Sequence, residues 1–544
     1  MRNAILKQVF GAGVCAVIAM APVIGWAEDA ATRLTTECAS LKGFTIPTSA
    51  IGLPTGGATV EAAVAVTASE SGNANGDFCK VTGIIRNATA STAVFEFEVN
   101  LPDTWNGRAL QMGGGGYDGS LVNALGGYTL QLPGEDTPLK RGYVTLGSNG
   151  GHRGGQGFDG TFGLDDEALL NYGKQSIKKT HDVAMAIIRK AYGRAPQRFY
   201  FIGGSQGGHE ALDAAARYPD DYDGVVAHFP AYNVTMLHLG SWNVGRALYA
   251  DNGAGWMDAA HVKLVTDAVM AKCDALDGAK DGIISNVAGC NAAFDVKTLR
   301  CANGGTGDDC LSDAQLKAVA TITSDYKPGV TIAGMEVFPK WALLEGAQFA
   351  GPSNFGKVTK PSNPLSGSEP LLYSAGDATI KYMITRDPKF DTLRFDPTQY
   401  KARIAAVASI MDVTDQSLEP FRAKGGKIMM THGTADDFIT PHNSIAYYRR
   451  QLAQFGQARL DSFLRFYIIP GFGHGFGTFN ARFDALPALE QWVESGRAPA
   501  GLIATDSNGN ANRTRPLCEY PKHPKFTGAP GSENSAKSFS CAVK

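Results

Sequence analysis

The chain has 544 residues, 44% of them hydrophobic, and its 50 Lys and Arg against 52 Asp and Glu leave a formal net charge of −2 at pH 7. That length and apolar content can bury a large core and divide most naturally into two domains. The balanced charge supplies no basic surplus for nucleic acid.

Arg2 and Lys7, an apolar run over 9–24 and the small-x-small tripeptide Gly25-Trp26-Ala27 predict a secretory signal peptide over 1–27. The run is too short to span a bilayer, acidic Glu28 and Asp29 follow it, and no later stretch could cross a membrane. The reading is therefore a secreted or periplasmic protein. Export makes the cysteines meaningful. Setting aside Cys15 in the signal, eight remain: Cys38, Cys79, Cys273, Cys290, Cys301, Cys310, Cys518 and Cys541. In an oxidising compartment these imply up to four disulfides, whose connectivity spacing alone does not fix. Pairing sequence neighbours is the most economical scheme: Cys38 with Cys79, Cys273 with Cys290, Cys301 with Cys310, Cys518 with Cys541. There is no CxxC spacing of the kind a zinc site uses.

Alternation over 93–101 predicts a strand, and Trp105-Asn106-Gly107-Arg108 a turn into a second strand ending at Met112. Four glycines, Gly113 to Gly116, then precede Tyr117-Asp118-Gly119. Such a loop lets main-chain N–H groups approach a ligand closely. A strand over 143–146 comes next, and a helix is predicted to open at His181 and reach Tyr192, with Val183, Ile187 and Ile188 on one face. The run Phe199-Tyr200-Phe201-Ile202 then enters Gly203-Gly204-Ser205-Gln206-Gly207-Gly208, the one G-x-S-x-G of the chain, and an amphipathic stretch leaves it as far as Arg217. Strand, tight turn and helix are the context in which that motif exposes a nucleophilic serine.

Between about 231 and 409 the pattern changes: cysteines, glycines and prolines accumulate and strand signals fade. This segment is predicted to be a second domain, inserted as a lid, with 28–230 and 410–544 forming the catalytic domain. Inside it, Asp274, Asp277 and Asp281 fall within eight residues, with Asp-Gly turns that suit a hard cation bound through oxygen, most naturally Ca²⁺. The loop is not an EF-hand, since position twelve is Ser285 rather than glutamate. A solvated acidic turn has the same composition; a disulfide closing the loop favours a held ligand set.

A strand over 427–431 leads into His432-Gly433-Thr434-Ala435-Asp436, placing Asp436 where a triad carboxylate belongs, with Asp437 beside it as the fallback. A helix over 442–452 and a strand over 463–469 follow, then Pro470-Gly471-Phe472-Gly473-His474-Gly475. His474 stands third in the order Ser, Asp, His, each after a strand end, and is the predicted general base. His152 and His181 precede the acid and are read as structural.

With these motifs in place, the chain resembles the tannase and feruloyl esterase family, which includes the mono(2-hydroxyethyl) terephthalate hydrolases. The resemblance runs through Leu101-Pro102-Asp103-Thr104-Trp105-Asn106-Gly107, the glycine loop, the serine motif, Arg217-Tyr218-Pro219-Asp220-Asp221-Tyr222-Asp223-Gly224, the acidic loop, His432 to Asp436 with Tyr447-Tyr448 beyond, and Pro470 to Gly475. It implies an α/β fold, an α/β-hydrolase core with a large inserted lid. In the lid a structural calcium would be held by the side chains of Asp274, Asp277 and Asp281 and the backbone oxygens of Ala279 and Ile283. The disulfides it implies agree with neighbour pairing. One departure stands out: the family typically joins a cysteine before the nucleophile to another after the histidine, and this chain has Gly204 and Gly475 there. The histidine loop is then expected to be placed by packing and hydrogen bonds alone, and to be more mobile.

The expected chemistry is ester hydrolysis on an aromatic acyl group, of hydroxycinnamate, gallate or terephthalate monoester type. Ser205 is the nucleophile, His474 the base, Asp436 its partner, and the N–H groups of Gln206 and Gly115 form the oxyanion hole. Trp256, Phe338, Trp341, Phe349, Phe355 and Tyr382 could line an aromatic slot, and Lys340 or Arg386 could meet a carboxylate, but the sequence assigns none of them. A serine peptidase of the same fold and a non-catalytic binding module are the competing readings.

Overall fold

A computed structural model of the chain describes residues 32–543 except 35, 155–157, 348, 350–354, 415–416 and 510–512. The expected signal peptide over 1–27 lies outside the described residues.

An 11-stranded mixed sheet forms the centre. Its strands, in chain order, are β1 (Thr45–Ile46), β2 (Ala58–Val66), β3 (Phe78–Ile85), β4 (Phe95–Pro102), β5 (Arg108–Met112), β6 (Val144–Ser148), β7 (Arg198–Gly204), β8 (Gly224–His228), β9 (Lys427–Gly433), β10 (Leu464–Ile469) and β11 (Cys518–Glu519). Across the sheet they run β11-β10-β9-β8-β7-β5-β6-β4-β3-β2-β1. The block from β6 through β5, β7, β8 and β9 to β10 is parallel, and both flanks are antiparallel. Parallel strands must be covered on both faces, which is why Phe199, Tyr200, Phe201 and Ile202 can be apolar without alternating.

Helices supply that cover. Helix α1 (Ser176–Tyr192) and helix α2 (Gln206–Arg217) put Val183, Ile187, Leu212 and Ala215 into the core on one face. Helix α1 begins five residues before His181, where the apolar stripe had placed its start, and stops at Gly193, whose φ of +73° is the left-handed C-cap. On the opposite face Leu486, Leu489 and Trp492, from a helix at Ala485–Ser495, pack under Tyr200, Val226 and Met429. The result is helix, sheet, helix in three layers.

Between β8 and β9 the chain forms an inserted helical region, including α3 (Val234–Gly253), α4 (Ala259–Cys273), α5 (Asp313–Ile322), α6 (Leu371–Ala378) and α7 (Lys401–Met411). These helices have a core of their own, centred on Trp242, Val265, Val319 and Phe338, which continues into Tyr117, Phe162 and Tyr172 of the preceding chain. Disulfides join Cys38 to Cys79, Cys273 to Cys290, Cys301 to Cys310 and Cys518 to Cys541. Among the described residues no helix is long and apolar enough to cross a membrane.

Candidate active site

Strand β7 ends at Gly204 and α2 starts at Gln206, so Ser205 alone makes the turn, at φ +59° and ψ −120°. That conformation is costly for a residue with a side chain and is tolerated where neighbouring structure enforces it. Here the Ser205 N–H donates to His228 O (3.0 Å), and the glycines remove the crowding. A Cβ on Gly203 would lie 2.5 Å from the Gly207 backbone, and one on Gly207 would lie 3.0 Å from Gly113 and Gly114.

The strand ends bring three distant side chains into line. Ser205 Oγ is 3.0 Å from His474 Nε2, and His474 Nδ1 is 3.0 Å from Asp436 Oδ2. Asp436 is fully buried, and its Oδ1 accepts the N–H groups of Phe438 (2.9 Å) and Ile439 (2.8 Å). Burial pushes its carboxyl up, but the His474 charge and hydrogen bonds from His432 and His474 hold it below the usual carboxylate range. Burial likewise pushes the His474 imidazole down, and the Asp436 charge and hydrogen bond, with Asp437 adding its charge, lift it above the ordinary value. The His474 ring is a fifth exposed and lies between Phe229 (centroids 4.8 Å) and Phe438 (5.2 Å). Of the two acids the sequence offered, Asp436 makes the contact with the imidazole.

The glycine loop sits against the turn: Gly207 N–H donates to Gly114 O at 3.1 Å. Gly113 N–H is taken by Ile202 O and Gly114 N–H by Glu210 Oε2 (2.9 Å), while the Gly115 N–H interacts with the buried Asp118 carboxyl and lowers its pKa against the push of burial. Sequence reading missed what lies behind this loop. The carboxyls of Asp118 and Glu210 are both pushed up by burial, Asp118 to about 7, and the Asp118 charge raises Glu210 further. Asp118 lies two residues after the glycines and Glu210 one turn into α2, and nothing in their spacing announces that their charges interact.

The position before the nucleophile is filled from the side. A Cβ on Gly204 would fall 2.8 Å from the Phe229 ring, while Gly475, at φ +87°, has open space. A cysteine at 204 therefore requires both Phe229 and Thr129, whose methyl would be 2.9 Å from that Cβ, to move.

From His474 the rings continue outward, Phe438 packing on Phe158 at 5.2 Å. Phe158 and Tyr382 line a cavity of about 620 Å³ with Asp159, Leu365, Glu369 and Lys381. The other aromatic candidates, Phe338, Trp341, Phe349 and Phe355, are buried in the core of the inserted region, and the Trp256 indole donates to Phe355 O. Lys340 pairs with Glu345, and Arg386 with Asp166.

The acidic loop curls through Gly278 (φ +95°) and Gly282 (φ +77°), with its ends braced by Cys273–Cys290. Asp274 Oδ1 accepts the N–H groups of Asp281 and Gly282, and Asp281 Oδ1 that of Ile283. Asp277 is 1% exposed; its Oδ1 accepts the Ala279 N–H, and its Oδ2 is buried with no partner among the described residues. Burial pushes the Asp277 carboxyl up, and the charges of Asp281 and Asp274 add to that push against hydrogen bonds from Ser285 and Ala279. A buried orphan oxygen among like charges fits a cation. Ala279 and Ile283, also buried, fall on the same loop, and Arg515 already neutralises one oxygen of Asp281. Among the described residues the ligand atoms of His181, Asp182 and Asp221 lie within 4.8 Å of one another, a closeness the side chains of Asp274, Asp277 and Asp281 do not reach. The Lys178 ammonium already pairs with both carboxylates, 2.8 Å from Asp182 and 3.0 Å from Asp221. His152 is buried and stacked on Phe162 at 3.9 Å, and burial holds its imidazole down at about 4.

Residues 79–542 match the family described as tannase and feruloyl esterase. The chain is 36% identical over 519 residues to an uncharacterized esterase of Agrobacterium fabrum, covering 93% of both chains. It is 31% identical to a mono(2-hydroxyethyl) terephthalate hydrolase of Piscinibacter sakaiensis, covering 86% of this chain and 85% of that one. Among solved structures, feruloyl esterase B from Aspergillus oryzae superposes with a TM-score of 0.73 at 26% identity, over 89% of this chain and 97% of the other.

Proposed function

From the premise that this chain belongs to the tannase and feruloyl esterase family, we propose that it is a secreted or periplasmic serine hydrolase of aromatic carboxylic esters. The observation that carries the proposal is the line from Asp436 Oδ2 through both imidazole nitrogens to Ser205 Oγ, 3.0 Å at each step. His474 Nε2 takes the Ser205 proton as Oγ attacks the ester carbonyl, and Asp436 stabilises the imidazolium that forms. The Gln206 and Gly115 N–H groups hold the oxyanion. Collapse expels the alcohol, which leaves with the proton from His474. Water, deprotonated by the same imidazole, then releases the acid and restores Ser205.

The acyl ring has a path to follow. Phe438 and Phe158 lead from the base to the cavity beside Tyr382, and apolar ring faces there suit a hydroxycinnamoyl, galloyl or terephthaloyl group. In this reading residues 231–409 form the lid domain over a catalytic domain of 28–230 and 410–544. A structural Ca²⁺ would be held by Asp274, Asp277 and Asp281 side chains and by Ala279 and Ile283 backbone oxygens. It supplies charge compensation that fixes the loop and has no part in the ester chemistry.

The test is hydrolysis of methyl ferulate, chlorogenate, methyl gallate and mono(2-hydroxyethyl) terephthalate beside a panel of peptide amides. Turnover of at least one ester, with peptides inert, is expected. Peptide cleavage without esterase activity, or turnover of neither panel, contradicts the proposal.

A further inference from the structure

Phe229 follows β8 directly and has a φ of +34°, a region that a bulky residue enters only against strain. The strain is held by the backbone: Phe229 N–H donates to Thr431 O at 2.7 Å, and the residue is 4% exposed. What the strained turn achieves is the placement of one ring among three parts of the site. It lies 4.8 Å from the His474 ring and 6.5 Å from that of His432, which itself reaches Asp436. With the Thr129 methyl, its edge fills the space that a Cβ on Gly204 would need, one residue before Ser205.

The loop that carries His474 is pinned at its base, where Phe472 is buried and its O accepts the Ala435 N–H (2.9 Å), and closed on itself by Gly473 N–H donating to Phe476 O (2.6 Å), so what is left to fix is the setting of the imidazole. Glycines stand at 471, 473, 475 and 477; Gly475 has open space around it, and Phe476 is 61% exposed. A free imidazole on such a loop has rotamers that leave both the serine and the aspartate. Phe229 on one side and Phe438 on the other are the aromatic walls that oppose this. We propose that Phe229 is the positioning residue for His474, its ring setting the distance between the serine turn and the histidine loop and the tilt of the imidazole between them. The role rests on the ester-hydrolase reading for its consequence, but it makes a claim about imidazole geometry that can be read without turnover.

The experiment uses the full mature chain with Phe229→Leu, which keeps apolar bulk, Phe229→Ala, Phe229→Tyr, and separately Gly204→Ala, whose methyl would press on the ring. Each is assayed for kcat and KM on the ester panel, for melting temperature, and for the low-field proton NMR signal of His474 Nδ1–H, assigned by its loss in Asp436→Asn. Phe229→Leu is expected to melt within a few degrees of wild type, yet to lose about 10-fold or more in kcat at a KM within about twofold, with the low-field signal broadened or absent. Phe229→Tyr should recover most of the kcat, and Gly204→Ala should behave like Phe229→Leu. A double Gly204→Ala, Phe229→Leu variant should be no worse than the poorer single one, since both disturb the same contact. The inference is overturned if Phe229→Leu and Phe229→Ala keep kcat within about twofold and leave the signal unchanged. If wild type hydrolyses no ester, the hydrolase reading falls. Loss of the signal in Phe229→Leu then still establishes the positioning role, and its persistence overturns that as well.

Discussion

His432 Nε2 stands 3.3 Å from Asp436 Oδ2, the same oxygen that receives His474 Nδ1. The buried His432 ring also makes contacts with Ile439 O at Nε2 (2.8 Å) and with Ser444 Oγ at Nδ1 (2.7 Å), so its orientation is fixed from both ends. The carboxylate is thus held by one histidine while it serves the other. Asp436→Asn should lower kcat by about 10⁴-fold with the fold intact. His432→Phe, which deletes one hydrogen bond to a charged group, should cost about 10- to 100-fold. Steady-state kinetics on samples matched for melting temperature check both, and equal losses from the two variants would contradict this division of roles.

The pH dependence follows from the raised imidazole. In the proposed mechanism His474 accepts the serine proton only when neutral, so kcat/KM should rise through a value above the ordinary histidine pKa of about 6.5 and reach its plateau on the alkaline side. Stability has the opposite sign. A folded-state pKa raised by Asp436 contributes stability fully present below about pH 6.5 and lost as pH rises through the folded value. The profile of kcat/KM against pH, with melting curves of wild type and His474→Ala across the same range, tests both. An acid limb centred below 6.5 would contradict the prediction.

Calcium makes a prediction independent of catalysis. Without a cation, Asp277 buries an unpartnered oxygen beside Asp274 and Asp281. Purified protein should carry one Ca²⁺ per chain, and EGTA should lower its melting temperature. Restoring calcium at 100 times Kd should return about 2.7 kcal/mol. Asp277→Asn should remove the response to calcium. Elemental analysis finding no metal, with melting indifferent to EGTA, would remove calcium from the account.

The disulfides differ in the chain they close, 41 residues for Cys38–Cys79 against 9 for Cys301–Cys310. Chain entropy then assigns a loss of about 4 kcal/mol to the double variant Cys38→Ala, Cys79→Ala and about 2.5 kcal/mol to Cys301→Ala, Cys310→Ala. Urea unfolding of the two should reproduce that order; the reverse order would show that local packing, not loop closure, sets their contribution.

Much of the site was legible because its members sit at strand ends, where local patterns are strong. The apolar run before Gly203, the glycines that permit a strained Ser205, and the strands ahead of Asp436 and His474 are all short-range signals. The inserted region was harder to read for a physical reason. Helix α3 is buried on nearly every side from Val234 to Val244, so it has no polar face and no 3.6-residue stripe to detect. Long-range pairings were invisible too. Arg515 meets Asp281 across 234 positions, and Phe229 gains its place over His474 only because β8 and β9 are neighbours in the sheet. The positive φ of Phe229 has no glycine to advertise it.

In the proposed chemistry Ser205 Oγ carries the acyl group between the two halves of the reaction. Intact-mass and peptide mass spectrometry after rapid quench with an aromatic ester, or after reaction with a serine-directed phosphonate, measures that directly. One adduct per chain is expected, mapped to the peptide containing Ser205 and absent from both Ser205→Ala and His474→Ala. An adduct on any other residue, or full turnover by Ser205→Ala, would contradict it.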